Sequence, residues 1–137
     1  GLEPLSRGDY RRQSAYLCLE QALGGDAAAA IYFLAPLDAI LARWGNRGYR
    51  LANLEAGIAG GRAYLAAYAQ GFGASGLTFY DRDVVRFFEP SARGLDAIGF
   101  AEQLVGSKQL EDAQKVLRRT LEQPGNTRPI VVTAPSG

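Results

Sequence analysis

From Arg50 to about Gln70 apolar residues recur at helical spacing, with Leu51, Leu54, Ile58, Leu65 and Tyr68 on one face. No other segment constrains the fold as strongly. Gly57, Gly60 and Gly61 lie inside it, and each costs about 1 kcal/mol relative to Ala in a helix interior. Three together imply close backbone contact with another helix or with a flat ligand. Glu55 stands one residue from Leu54 on the apolar face, and a carboxylate that near a core calls for a partner. Arg47 and Arg50 sit at the helix entrance, where the dipole disfavours cations. They either pair with Glu55 or reach an external anion.

The flanking segments read more simply. Residues 10–23 have helical spacing (Ala15, Leu19, Ala22, Leu23), and Gly24-Gly25 supplies a stop. Residues 27–37 are apolar, and Ala30 to Leu34 read as a buried strand. Pro36 opens a short helix through Trp44, broken by Gly45-Asn46-Arg47-Gly48. After the long helix, residues 71–76 form a turn and 77–80 a short extended piece. Asp81 is placed to cap a helix through Phe88, and Pro90 ends it. Ala97 to Val105 read as a strand closed by Gly106. Leu110 to Leu121 read as an amphipathic helix, and Ile130 to Val132 as a strand or an arm. No internal repeat or low-complexity linker divides the chain, so one domain over residues 1–137 is expected.

Composition removes several chemistries. The 137 residues contain no His and a single Cys. A Ser-His-Asp triad, a Cys-His pair and an imidazole metal site are therefore excluded, and no metal is expected. Cys18 can form no internal disulfide and reads as a small buried hydrophobe. The net charge is +1, with thirteen Arg and two Lys spread along the chain, which argues against a nucleic-acid partner. No apolar run approaches the roughly 18 residues of a membrane span, and no signal peptide is visible. A cytoplasmic chain follows as an expectation. The chain also has no Met and opens Gly1-Leu2-Glu3-Pro4, which suggests a processed, trimmed or partial product. Its Arg-rich, Ala/Gly-rich make-up suits a GC-rich bacterial genome.

Gly71-x-Gly73-x-x-Gly76 matches the dinucleotide-binding spacing. That motif needs a strand before it and a helix after it. Here a long helix precedes and an extended piece follows, so the run reads as a helix-to-strand turn. No phosphate-cradling loop ending in Lys-Ser/Thr is present, and no carboxylate pair has glycosidase spacing.

The segment 47–88 taken whole is more specific. Arg47-Gly48-Tyr49-Arg50-x4-Glu55-Ala56-Gly57 is followed by an Ala-rich helix. Then come Gly71-Phe72-Gly73-Ala74-x-Gly76-Leu77-Thr78-Phe79-Tyr80-Asp81-x-Asp83-Val84. In this order the elements resemble the nitroreductase superfamily, most closely its SagB-type azoline (thiazoline) oxidase branch. The resemblance covers residues 9–107, and 108–137 form an additional helix and arm. It implies an α+β fold, a small mixed sheet packed around the long central helix. The chain would correspond to the C-terminal portion of the fold, lacking the usual N-terminal region with its Arg-x-Ser-x-Arg-like phosphate site.

The resemblance further implies FMN at a homodimer interface, or a site completed by a second chain supplying the missing region. Hydride transfer would run through flavin N5, on a small-molecule or peptide substrate. Gly76, Leu77, Thr78 and Phe79 would run beside the flavin ring, with a backbone N–H near Thr78 or Phe79 facing N5. Glu55 would face the pocket, and Lys108 would be the remaining phosphate cation. No catalytic side chain is assigned, because the cofactor carries the chemistry. The competing reading is a non-catalytic relative that keeps the dimer helix but has lost the phosphate site. It would serve as a binding or interaction module.

Overall fold

The computed structural model describes residues 4–106, Arg118 and 128–133. Its centre is strand β1 (Ala29–Ala35), buried at every position. Ala29, Ile31, Phe33 and Ala35 point to one side of the sheet, and Ala30, Tyr32 and Leu34 to the other. A strand covered on both faces needs no polar alternation, which is why its sequence is continuously apolar.

Two short helices precede it, α1 (Arg11–Leu17) and α2 (Ala22–Asp26). The expected single helix over residues 10–23 is broken at Leu19 and Glu20, both at positive φ. Gly24 and Gly25 do not stop a helix; they lie buried inside α2. Gly24 abuts Cys18 and the Ser14 carbonyl of α1, and Gly25 abuts the Arg11 carbonyl. The Ser14 hydroxyl donates to the Gly24 carbonyl at 2.5 Å. The two glycines therefore serve helix–helix contact.

After β1, α3 (Leu37–Trp44) follows Pro36 as expected. The break before the long helix α4 (Asn46–Tyr68) is a single residue, Gly45 at φ +57°. Gly48 belongs to α4, where it packs against Ile40 of α3.

Strand β2 (Gly73–Leu77) occupies what the sequence suggested was a turn, and Gly71 at φ +76° makes the reversal instead. Helix α5 (Asp81–Phe87) has Tyr80 at its cap, with Asp81 and Asp83 in its first turn. Strands β3 (Asp96–Val105) and β4 (Arg128–Thr133) complete the sheet. The proposed helix at 110–121 lies outside the described residues, apart from Arg118, which is helical.

Strand order is β2-β3-β1-β4. All three pairings are antiparallel, so the expected mixed sheet is corrected to an antiparallel one. α4 covers one face and packs on β3 and β2. α1 and α5 contribute the core of the opposite face. The architecture is α+β, as expected.

The helix face is a second correction. The side of α4 turned to the sheet is Gly48, Ala52, Ala56, Gly60, Ala63 and Ala67. Small side chains let the helix lie close to the strands, and the strands supply the bulk of the core (Ile31, Phe33, Ile98, Leu104). The large apolar residues point outward: Leu54 is 61% exposed, Ile58 50% and Leu65 71%.

Candidate functional site

A bulge in β3 shapes the region between α4 and the β2 side of the sheet. Phe33 pairs with Ile98 but Ile31 pairs with Glu102, so two steps along β1 span four along β3. Gly99 takes the positive φ in this bulge, +73°, and its N–H donates to Asn53 Oδ1 of α4 at 3.2 Å. Phe100 lies within the bulge and remains 55% exposed.

Glu102 follows, facing the helix. It is buried, only 8% exposed, and its Oε2 has no hydrogen-bond partner. Gly60 of α4 makes room for it: a Cβ there would stand 2.6 Å from Glu102 Oε1. Gly76 of β2 pairs in register with Glu102. A Cβ at Gly76 would lie 3.3 Å from Phe100 Cβ, 3.4 Å from Glu102 Oε2 and 3.6 Å from Tyr64 Oη. A carboxyl, a phenol and an exposed aromatic ring thus converge on one exposed glycine. Burial pushes the Glu102 carboxyl above its ordinary value, and the Tyr64 hydroxyl draws it part of the way back. Burial and the neighbouring carboxyl push the Tyr64 hydroxyl up in turn.

Among the expected site residues, Gly76 and Thr78 are exposed, and Leu77 and Glu55 are half-buried. The Phe79 side chain is turned into the core, edge-on to Tyr32 at 5.6 Å between ring centres. The neighbouring Tyr80 N–H donates to the Leu17 carbonyl at 2.9 Å. Backbone at 78–80 is therefore anchored from behind while Thr78 stays open. Gly76 to Phe79 form one continuous run, whereas Glu55 comes from α4. Lys108 lies outside the described residues, and Arg47 and Arg50 are exposed in the first turns of α4.

Sequence reasoning overlooked Glu102 and Tyr64. The signal was present as Glu102-Gln103, two polar residues in the middle of an otherwise apolar strand. Gln103, fully buried, faces the opposite side. There its Nε2 reaches Cys18 Sγ at 3.4 Å, and Cys18 Sγ lies 3.2 Å from Tyr32 Oη. Cys18 is fully buried, as its reading as a small hydrophobe required.

The class defined by these features is an α+β protein with a glycine-floored polar site beside a long helix. The chain belongs to the nitroreductase family, whose model matches residues 3–120. Comparison with curated proteins and with solved structures gives no match. Members of this family are flavin-type oxidoreductases and are typically dimeric. No group of His, Cys, Asp and Glu among the described residues is arranged to hold a metal ion. No helix among them is long and apolar enough to cross a membrane.

Proposed function

We propose that the chain is an FMN-dependent oxidoreductase domain of the azoline-oxidase type, with residues 1–137 acting as one domain in a cytoplasmic, bacterial homodimer. The observation that carries this reading beyond the family is the surface at Gly76. It offers bare backbone, open to solvent, beside a buried carboxyl oxygen that lacks a partner. A flat ring can approach a glycine closely because no Cβ intervenes, and orphaned polar atoms are where ligands are expected. These residues fit the ring of FMN.

When bound, FMN supplies hydride chemistry at N5. The protein's share is positioning. Gly76 and Leu77 would flank the ring, and the backbone N–H of Thr78 or Phe79 would meet N5. The Phe79 side chain, locked against Tyr32, keeps that backbone from moving. Glu55 would border the pocket from α4, and Lys108 would take the phosphate. The outward apolar face of α4 would be covered by a second copy of the chain. The substrate is a small molecule or a peptide.

The test is an absorption spectrum before and after reconstitution with FMN and removal of the excess. Retained flavin that bleaches on reduction supports the oxidoreductase. A colourless protein after reconstitution overturns it and favours a non-catalytic interaction module.

A further inference from the structure

We infer that Tyr64 is a ligand-contacting hydrogen-bond donor at the Gly76 surface and that Glu102 is the positioning residue behind it, together selecting uncharged planar ligands with an acceptor group. The inference rests on the flavin reading for the identity of its ligand, and on geometry for the pair itself.

Glu102 Oε2 and Tyr64 Oη lie 3.4 and 3.6 Å from one point, the place a Gly76 Cβ would take. The two groups differ in access. Glu102 is buried, while Tyr64 is half-buried and Gly76 exposed. The phenol is therefore the end of the pair nearer the surface.

The surroundings decide where the proton sits. α4 presents Gly60 and Tyr64 to the carboxyl, and β2 presents Gly76. β3 presents Phe100, and Ile31 of β1 pairs beside it. Tyr68 packs edge-on to Tyr64 at 6.0 Å between ring centres. None of these is a cation. A carboxylate without a cation in so buried a place is costly, so the group holds its proton to higher pH than a free carboxyl does.

A protonated carboxyl has one O–H to give. Given to Tyr64 Oη, it leaves the phenol hydrogen free to point to the open side at Gly76. Ionisation reverses the direction: the phenol then donates inward to the carboxylate, and its oxygen faces the Gly76 N–H. One proton on Glu102 thus sets whether the phenol hydrogen is offered at the surface. With the proton in place it suits a carbonyl or imine nitrogen on a flat ring that can lie against glycine.

The test is binding of riboflavin, which carries the ring without the phosphate, and of FMN. Fluorescence quenching is followed from about pH 5 to about pH 9, a range spanning ordinary and raised carboxyl values. Wild type should bind more weakly as pH rises. Glu102→Gln, whose amide donates permanently, should keep the low-pH affinity throughout. Tyr64→Phe should bind roughly three- to tenfold more weakly at low pH, the worth of one hydrogen bond, and lose the pH dependence. A Glu102→Gln variant with the wild-type pH profile, or a Tyr64→Phe variant with wild-type affinity, overturns the inference.

The flavin-free protein separates the two failures. Titrated across the same pH range, its infrared spectrum should show a protonated carboxyl band that persists above the ordinary carboxyl range and disappears in Glu102→Gln. Absence of that band overturns the pair even if flavin binds. If the band is present but wild type binds neither flavin, the flavin reading fails and the ligand role fails with it, while the proton assignment stands.

Discussion

At the scale of single residues, the interior shifts two buried acids in the same direction. Glu102 titrates higher in the folded chain than in the unfolded one, because burial disfavours its charge. Between the two values the folded state keeps a proton the unfolded state has lost. The stability that this proton supports is complete below the unfolded carboxyl value and is lost as pH rises through the folded one. Glu102→Gln removes that titration. Its melting temperature should match wild type in acid and exceed it at neutral and alkaline pH; a variant less stable than wild type at alkaline pH would contradict this. Cys18 shows the same shift on a thiol. Burial pushes its thiol up, against hydrogen bonds from Tyr32 and Gln103 that pull it down. A buried, protonated thiol is a poor nucleophile. Cys18 should therefore react with an aromatic disulfide reagent roughly a hundredfold more slowly in the native protein than in denaturant, where opening no longer limits access. Equal rates would show that the α1–α2 cap over the sheet is open.

At the scale of elements, glycine is the main packing device, and its meaning depends on what faces it. Gly24 stands where a Cβ would be 2.8 Å from Cys18 Cβ and 2.9 Å from the Ser14 carbonyl oxygen. Neither atom can withdraw easily, so Gly24→Ala should destabilise by about 1–3 kcal/mol, the usual cost of overpacking. Chemical denaturation would measure it, and a neutral result would mean that α1 and α2 do not lock together. The same residues show what the sequence could convey. β1, α3, α5 and β3 were legible because each has a local signature: an unbroken apolar run, a proline start, an acidic first turn, a strand bounded by glycine. The α1–α2 break was not, because Gly24-Gly25 reads locally as a stop and only tertiary contact makes it an interface. The buried face of α4 was misread for a related reason. Periodicity marks large apolar residues, yet the sheet selects small ones for close approach and leaves Leu54, Ile58 and Leu65 outside. In the candidate site, Gly76 and Thr78 were legible through the family-like segment. Glu102 and Tyr64 were not, since their convergence depends on the Gly99 bulge and on the β2–β3 register.

At the scale of the whole molecule, the outward face of α4 is an exposed apolar surface among the described residues. Leu54, Ile58, Leu65 and Tyr68, each at least half exposed, line one side of a 23-residue helix. Exposed large apolar residues along one helix face are characteristic of interfaces, and dimers are typical of the family. Gly57 and Gly61 lie on the exposed side of the helix, and a Cβ at either would meet nothing within 4 Å among the described residues. Within one chain, then, Gly57→Ala and Gly61→Ala should each stabilise the helix by about 1 kcal/mol, because nothing opposes the usual gain. In a dimer closely packed through this face, the same methyl groups would hold the two helices apart. The two effects separate by concentration. Sedimentation across a dilution series should show wild type as a dimer and both alanine variants dissociating at higher concentration. Melting at dilutions where all are monomeric should rank the alanine variants above wild type. Leu65→Arg should abolish the dimer while leaving the folded monomer intact, since Leu65 is 71% exposed. A wild type that stays monomeric at high concentration would refute self-association through α4 and leave the face to a different chain. Alanine variants that are more stable as monomers and equally dimeric would keep the dimer but move its closest contact away from the glycines, towards Leu65 and Tyr68.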